Sequence, residues 1–141
     1  MSSIKIIPYE GIENIHFGDN RKTVRATLGK YEEFKKSEFS ENTTDDFGFC
    51  HVFYTTDNKV DAIEFFSESE ITLKEKLLFS FDFSTLKDFL SDESMEEDDS
   101  GANFPKYGIS VYAPDFNKIE TILIYSKSYW EDWQSTFFFS S

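Results

Sequence analysis

The sequence predicts an α+β domain, an antiparallel sheet with two helices on one face, built from two diverged helix–hairpin repeats within a single domain over 1–141. Three observations predict it. Two segments recur in the same order along the chain. Each recurrence opens with a helix-start signal. Each then runs into a pair of apolar, alternating stretches joined by turn residues.

Thr23-Val24-Arg25-Ala26-Thr27-Leu28 resembles Thr85-Leu86-Lys87-Asp88-Phe89-Leu90 at an offset of 62 residues. Asn58-Lys59-Val60-Asp61-Ala62-Ile63 matches Asn117-Lys118-Ile119-Glu120-Thr121-Ile122 at an offset of 59, and Val52-Phe53 and Val111-Tyr112 share that second offset. A loop insertion absorbs the difference, and the repeats are placed at about 16–66 and 79–125. In the first, Asp19 or Asn20 is positioned to cap a helix over Arg21–Leu28, and Gly29 to end it in a left-handed conformation. Asp82 is the corresponding cap for a helix through Leu90. Val24 and Leu28, like Leu86, Phe89 and Leu90, fall at spacings of three and four and form one apolar stripe per helix.

The hairpins follow. Strands over Cys50–Thr55 and Val60–Phe66 flank an Asp57-Asn58 turn, and strands over Gly108–Tyr112 and Ile119–Tyr125 flank a longer loop containing Pro114-Asp115. Asn and Asp suit such turns because they tolerate positive φ and bond their own backbone. An opening strand over Ser3–Ile7 and another near Lys76–Phe81 complete the prediction.

Alternation places Ile63 and Phe65 on one face of the sheet, together with Ile122 and Ile124. The opposite face is mixed, with Val60, Ala62 and Phe66 in one strand and Ile119, Leu123 and Tyr125 in the other. A sheet wet on one side alternates more strictly, so this face is expected to be covered. Two covers are open: the C-terminal segment Tyr129-Trp130-Glu131-Asp132-Trp133 with Phe137-Phe138-Phe139, or a protein partner.

Charge narrows the function. Acids outnumber bases 27 to 14 for a net charge of −13, yet 18% of residues are aromatic. Acidic disordered tails are poor in aromatics, so the composition is that of a folded domain with a negative coat. Residues 1–36 carry a net +2 and residues 37–141 a net −15. Asp92, Glu93, Glu96, Glu97, Asp98 and Asp99 place six acids in eight positions, a pattern that favours an extended, solvated loop. Such a surface repels nucleic acid and anionic membrane and attracts basic partners. No apolar run has signal-peptide or membrane-spanning length, and Cys50 is the single cysteine, so the expectation is a soluble cytoplasmic protein.

No catalytic chemistry is expected. His16, His51 and Cys50 give no ligand cluster, so no metal and no cofactor is predicted. Adjacent Cys50 and His51 in a strand would point to opposite faces and share no proton. The acids at 92–99 lack the alternation and central glycine of a calcium loop. No nucleotide-binding or nucleophile-elbow motif occurs. Arg21, Lys22 and Arg25 share the first helix as either a small basic spot or a solvated face.

In size and charge over the whole chain, and in wording at GIENIHFGDNRKTVRATLG, VFYTTDNKVDAIEFF and GISVYAPDFNKIETILIYSKSYWED, the sequence resembles the immunity proteins of bacterial toxin–immunity systems, including contact-dependent growth inhibition. That resemblance implies an acidic cytoplasmic protein that binds and neutralises a cognate toxin, often a basic nuclease. It carries no residue role with it. The alternative is a non-catalytic adaptor or chaperone domain presenting the same sheet. Partner contact is expected at Asp92, Glu93, Glu96, Glu97, Asp98 and Asp99, which steer, and at Tyr129, Trp130, Glu131, Asp132 and Trp133, which supply aromatic anchors beside acids.

Overall fold

The structure is a computed structural model that describes residues 3–129. Its centre is an eight-stranded, wholly antiparallel sheet formed by β3 (Glu32–Phe34), β4 (Thr44–Asp46), β5 (Cys50–Tyr54), β6 (Val60–Phe66), β9 (Glu96–Glu97), β10 (Gly101–Phe104), β11 (Ile109–Tyr112) and β12 (Thr121–Tyr125). The order is β3-β4-β5-β6-β12-β11-β10-β9, so each half is a four-stranded meander and β6 meets β12 at the seam. Before each meander stands one helix, α1 (Arg21–Leu28) or α2 (Phe83–Leu90). Each half is therefore a helix followed by four strands, where the sequence showed only a helix and a hairpin.

The halves share their register. Cys50 faces Phe65 and Val52 faces Ile63; 59 residues on, Ile109 faces Ile124 and Val111 faces Ile122. Asp45 lies opposite Val52 as Ala102 lies opposite Val111. Even an ion pair is echoed: Arg25 reaches Glu33 at 3.1 Å and Lys87 reaches Glu97 at 2.8 Å.

The helices start differently. Asp82 caps α2, its carboxylate accepting the Thr85 amide at 2.8 Å, and Ser91 closes the helix at φ 48°. Asn20 precedes α1 in an extended conformation but makes no cap bond; its side-chain oxygen accepts Lys59 Nζ at 2.8 Å, while Asp19 accepts the His16 amide. Gly29 ends α1 at φ 88°, its amide bonding the Arg25 carbonyl at 3.0 Å.

Both helices lie on one face of the sheet, the face that carries Cys50, Val52, Ile63, Phe65, Ile109, Val111, Ile122 and Ile124, all buried. Val24 of α1 and Phe83, Leu86 and Leu90 of α2 complete that core. A second, four-stranded sheet joins it: β2 (Gly11–Ile12), β1 (Ile4–Ile7), β7 (Ile71–Leu73) and β8 (Lys76–Leu77), in that order, with β1 and β7 parallel. The opening strand thus builds its own sheet. The strand expected near Lys76–Phe81 is β8 followed by a 3-10 turn at Leu78–Ser80, which sinks Leu78 into the core.

Candidate binding face

The helix-free face of the large sheet follows from its register. One cross-strand row runs Glu96, Asn103, Ser110, Leu123, Glu64, His51, Asp46, Glu32, one residue from every strand. Beside it lie the rows Tyr125, Ala62, Phe53, Thr44, Phe34 and Gly101, Tyr112, Thr121, Phe66. A row of which half is acidic is thus flanked by rows that carry aromatics, which accounts for Ala62, Phe66, Leu123 and Tyr125 in the mixed pattern that alternation showed, whereas Val60 and Ile119 are buried in the core instead.

The β3–β6 half of this face makes several pairings of its own beside a second cavity of about 340 Å³ bordered by Lys36, Thr44, Phe53 and Asp61. Glu64 accepts Lys36 Nζ at 3.4 Å and the Thr121 hydroxyl at 3.2 Å. The Lys36 ammonium sits 4.4 Å from the Phe53 ring centre. The His51 ring meets Phe66 edge-on at 4.7 Å and Phe34 at 5.0 Å, with Asp46 and Glu64 oxygens 3.6 and 3.8 Å from its nitrogens.

The β9–β12 half stays open. A cavity of about 350 Å³ is lined by Glu96, Glu97 and Asp98 at one rim and by Asn103, Ser110, Tyr112, Leu123, Tyr125 and Tyr129. Tyr129 stacks on Tyr125 at 5.7 Å and 28°, and the Tyr125 hydroxyl donates to Asn103 Oδ1 at 2.7 Å. Burial pushes the Tyr125 and Tyr129 hydroxyls up from the usual range, reinforced by Tyr9 in the first case and by Asp61 and Glu64 in the second. Both rings therefore remain neutral near pH 7. Asn103 Nδ2 is buried with no acceptor among the described residues, and Tyr112 is 45% exposed. At the rim, Glu97 is engaged by Lys87 and one Asp98 oxygen accepts the Ser100 amide at 2.8 Å. The Glu96 carboxylate has no partner among the described residues. Gly101, between the wall residues Ser100 and Ala102, is a glycine for a packing reason, since a Cβ there would collide with the Val111 carbonyl oxygen.

The acids expected at the interface divide. Glu96, Glu97 and Asp98 meet Tyr129 around this cavity. Asp92 instead braces its loop, accepting the Ser94 amide at 2.8 Å and the Lys106 amide at 2.9 Å. Burial opposes ionisation of that carboxyl, but these bonds outweigh it and hold it below the usual carboxylate range. Glu93 and Asp99 are exposed away from the cavity. Trp130, Glu131, Asp132, Trp133 and the segment 137–139 lie outside the described residues. An extended solvated loop was expected over 92–99; two of its eight residues instead form β9, whose Glu96 and Glu97 pair with Asn103 and Ala102. Asn103, Ser110 and Tyr112 were not foreseen as site residues, whereas Leu123 and Tyr125 were visible as apolar residues on the wrong side of their strand.

Of the basic residues of α1, Lys22 is exposed as a solvated face would have it, but the two arginines are not. Arg21 is 8% exposed and gives all five of its N–H donors: to both Asp45 oxygens, Asn42, Asn58 and Thr43. Arg25 adds two bonds of 2.8 Å to the same carboxylate, and the Tyr54 hydroxyl donates a third kind at 2.9 Å. Asp45 is fully buried. Burial would raise its pKa, but the guanidinium and hydroxyl bonds prevail and bring it down to about 2. This cluster fastens α1 to β4. The second half fills the matching places with Phe83 and Ala102, and so needs no charge there.

Cys50 and His51 do point to opposite faces: Cys50 is buried at 1% in the core and His51 is on the helix-free face. Burial pushes the Cys50 thiol far up, with a further push from Asp46. Among the described residues no group of three or more His, Cys, Asp or Glu is placed to hold a metal ion, and no helix is long and apolar enough to cross a membrane. No protein-family profile matches the chain, and no curated protein or solved structure is found to be similar to it.

Proposed function

We propose that this chain is an immunity protein, a cytoplasmic and non-catalytic domain that binds a cognate bacterial toxin, a basic nuclease domain by charge, and neutralises it. One observation carries the reading: acids of the 92–99 run and tyrosines of the helix-free face border one open cavity, which no base lines among the described residues. Acids at a rim around aromatic surface give what a tight interface with a cationic protein requires, a steering field outside and desolvated anchors inside. A nuclease must present cations to phosphate, so an acidic surface is its natural complement.

The test is co-expression with the product of the neighbouring reading frame. The pair should co-purify as a stoichiometric complex, and this chain should restore growth to cells in which that product is toxic. Complex formation without growth rescue would assign the same face to an adaptor or chaperone instead. Absence of both would refute the proposal.

A further inference from the structure

We propose that the cavity bordered by Glu96, Asp98, Tyr112, Tyr125 and Tyr129 is a receptor for one arginine side chain of the protein partner. The inference rests on the reading of this face as a protein-binding surface, and deepens it.

Size comes first. At about 350 Å³ the cavity sits at the small end of ligand pockets, roughly 300–1,000 Å³. It has room for one long side chain. Charge decides the sign of the occupant. Glu96 and Asp98 line the cavity, the Glu96 carboxylate and the second Asp98 oxygen have no partners among the described residues, and none of those residues that line it is a base. A phosphate or carboxylate is repelled there. Shape decides between the cations. Tyr112, 45% exposed, and Tyr129, stacked on the buried Tyr125, border it with aromatic rings that suit a planar group. A guanidinium stacks on such faces while sending its in-plane N–H donors to carboxylates, whereas an ammonium is a compact, strongly hydrated point charge. The chain uses the same recipe internally, with the Arg21 guanidinium 4.3 Å from the Tyr54 ring centre and bonded to Asp45.

The test titrates the isotopically labelled full chain with the peptide Ac-Gly-Arg-Gly-NH2, and with its lysine and citrulline counterparts, while amide and Asn103 side-chain resonances are followed. The arginine peptide should shift the resonances of Glu96–Asp98, Asn103 and Tyr112 saturably at millimolar concentration. The lysine peptide should bind several-fold more weakly and the uncharged citrulline peptide at least tenfold more weakly. In the double variant Glu96→Gln, Asp98→Asn, both exposed positions, arginine affinity should fall at least tenfold with the remaining spectrum unchanged. Equal responses to arginine and citrulline, no response of these resonances, or shifts that track protein concentration without peptide (a second copy as occupant) would each overturn the proposal. The two readings fail separately. Growth rescue with no arginine response refutes the pocket alone, and an arginine response with no rescue by the chain refutes the immunity reading alone.

Discussion

The Tyr125 hydroxyl reaches over β11 to donate to Asn103 Oδ1 at 2.7 Å, tying together two strands that do not pair with each other. That bond shapes the floor of the cavity, because it turns one ring and one amide into a continuous surface. Tyr125→Phe keeps the ring and its stacking on Tyr129 but strands the amide oxygen. Losing one hydrogen bond of this kind costs about 0.5–1.5 kcal/mol, so urea denaturation should show a loss of that order with an unchanged slope.

The Asp45 cluster should behave as a unit. Asp45→Ala leaves two guanidinium groups buried without their carboxylate, and removing one partner of a buried ion pair costs about 3–5 kcal/mol. Chemical denaturation of the variant should show that loss, the largest of any single acid in the chain. The same carboxyl should also be visible in its titration. Its pKa in the fold lies at about 2, below the ordinary 3.8. Its contribution to stability is therefore complete above pH 4 and disappears as pH falls from there through 2, about 2 kcal/mol in all. Carboxyl-carbon chemical shifts should place its midpoint near 2; a midpoint near 4 would mean that the guanidinium contacts do not hold in solution.

Gly101→Ala tests the register of β10 against β11. The added Cβ meets the Val111 carbonyl oxygen, a backbone atom that cannot turn aside. Overpacking of this kind costs roughly 1–3 kcal/mol. Thermal melts should show a clear drop, accompanied by broadening of the Asn103 and Tyr112 resonances along the cavity wall.

Cys50 should be chemically silent while the protein is folded. Its thiol is 1% exposed and burial disfavours the thiolate that reacts. A thiol reagent such as dithionitrobenzoate should label it only in denaturant, and Cys50→Ala should leave partner binding unchanged. Fast labelling of the native protein would show an opening of β5 that the fold does not contain.

Half of the architecture was legible in the chain, and the reason lies in particular residues. The strands β5, β6, β11 and β12 are rich in Val, Ile, Phe and Tyr, and the Asp82 cap and Gly29 stop mark the helices. In contrast β3, β4 and β9 read Glu-Glu-Phe, Thr-Asp-Asp and Glu-Glu, sequences depleted in strand formers. They are strands because neighbours pair with them, a tertiary cause that no local window contains. Asp45 is the sharpest case. An acid in a polar run looks solvated, and its burial is intelligible only with Arg21 and Arg25 in view, residues 24 and 20 positions away. The cavity was hidden for the same reason. Glu96 and Asn103 become neighbours through cross-strand register, although the surplus of apolar residues on the helix-free face had already marked that side of the sheet.

The central claim, that the cavity side of the acidic run is the binding surface, is tested most directly by rate constants with the neighbouring gene product across a salt series. Two double variants separate the roles. Glu93→Gln with Asp99→Asn removes charges that only steer; association should slow at low salt, dissociation should stay unchanged, and each charge should be worth roughly 0–1 kcal/mol. Glu96→Gln with Asp98→Asn removes charges that become desolvated in the complex, and dissociation should quicken by about 2–5 kcal/mol, at least thirtyfold. Two variants with the same kinetics, or an unchanged dissociation rate for the Glu96 and Asp98 pair, would contradict the account and move the interface to another face of the molecule.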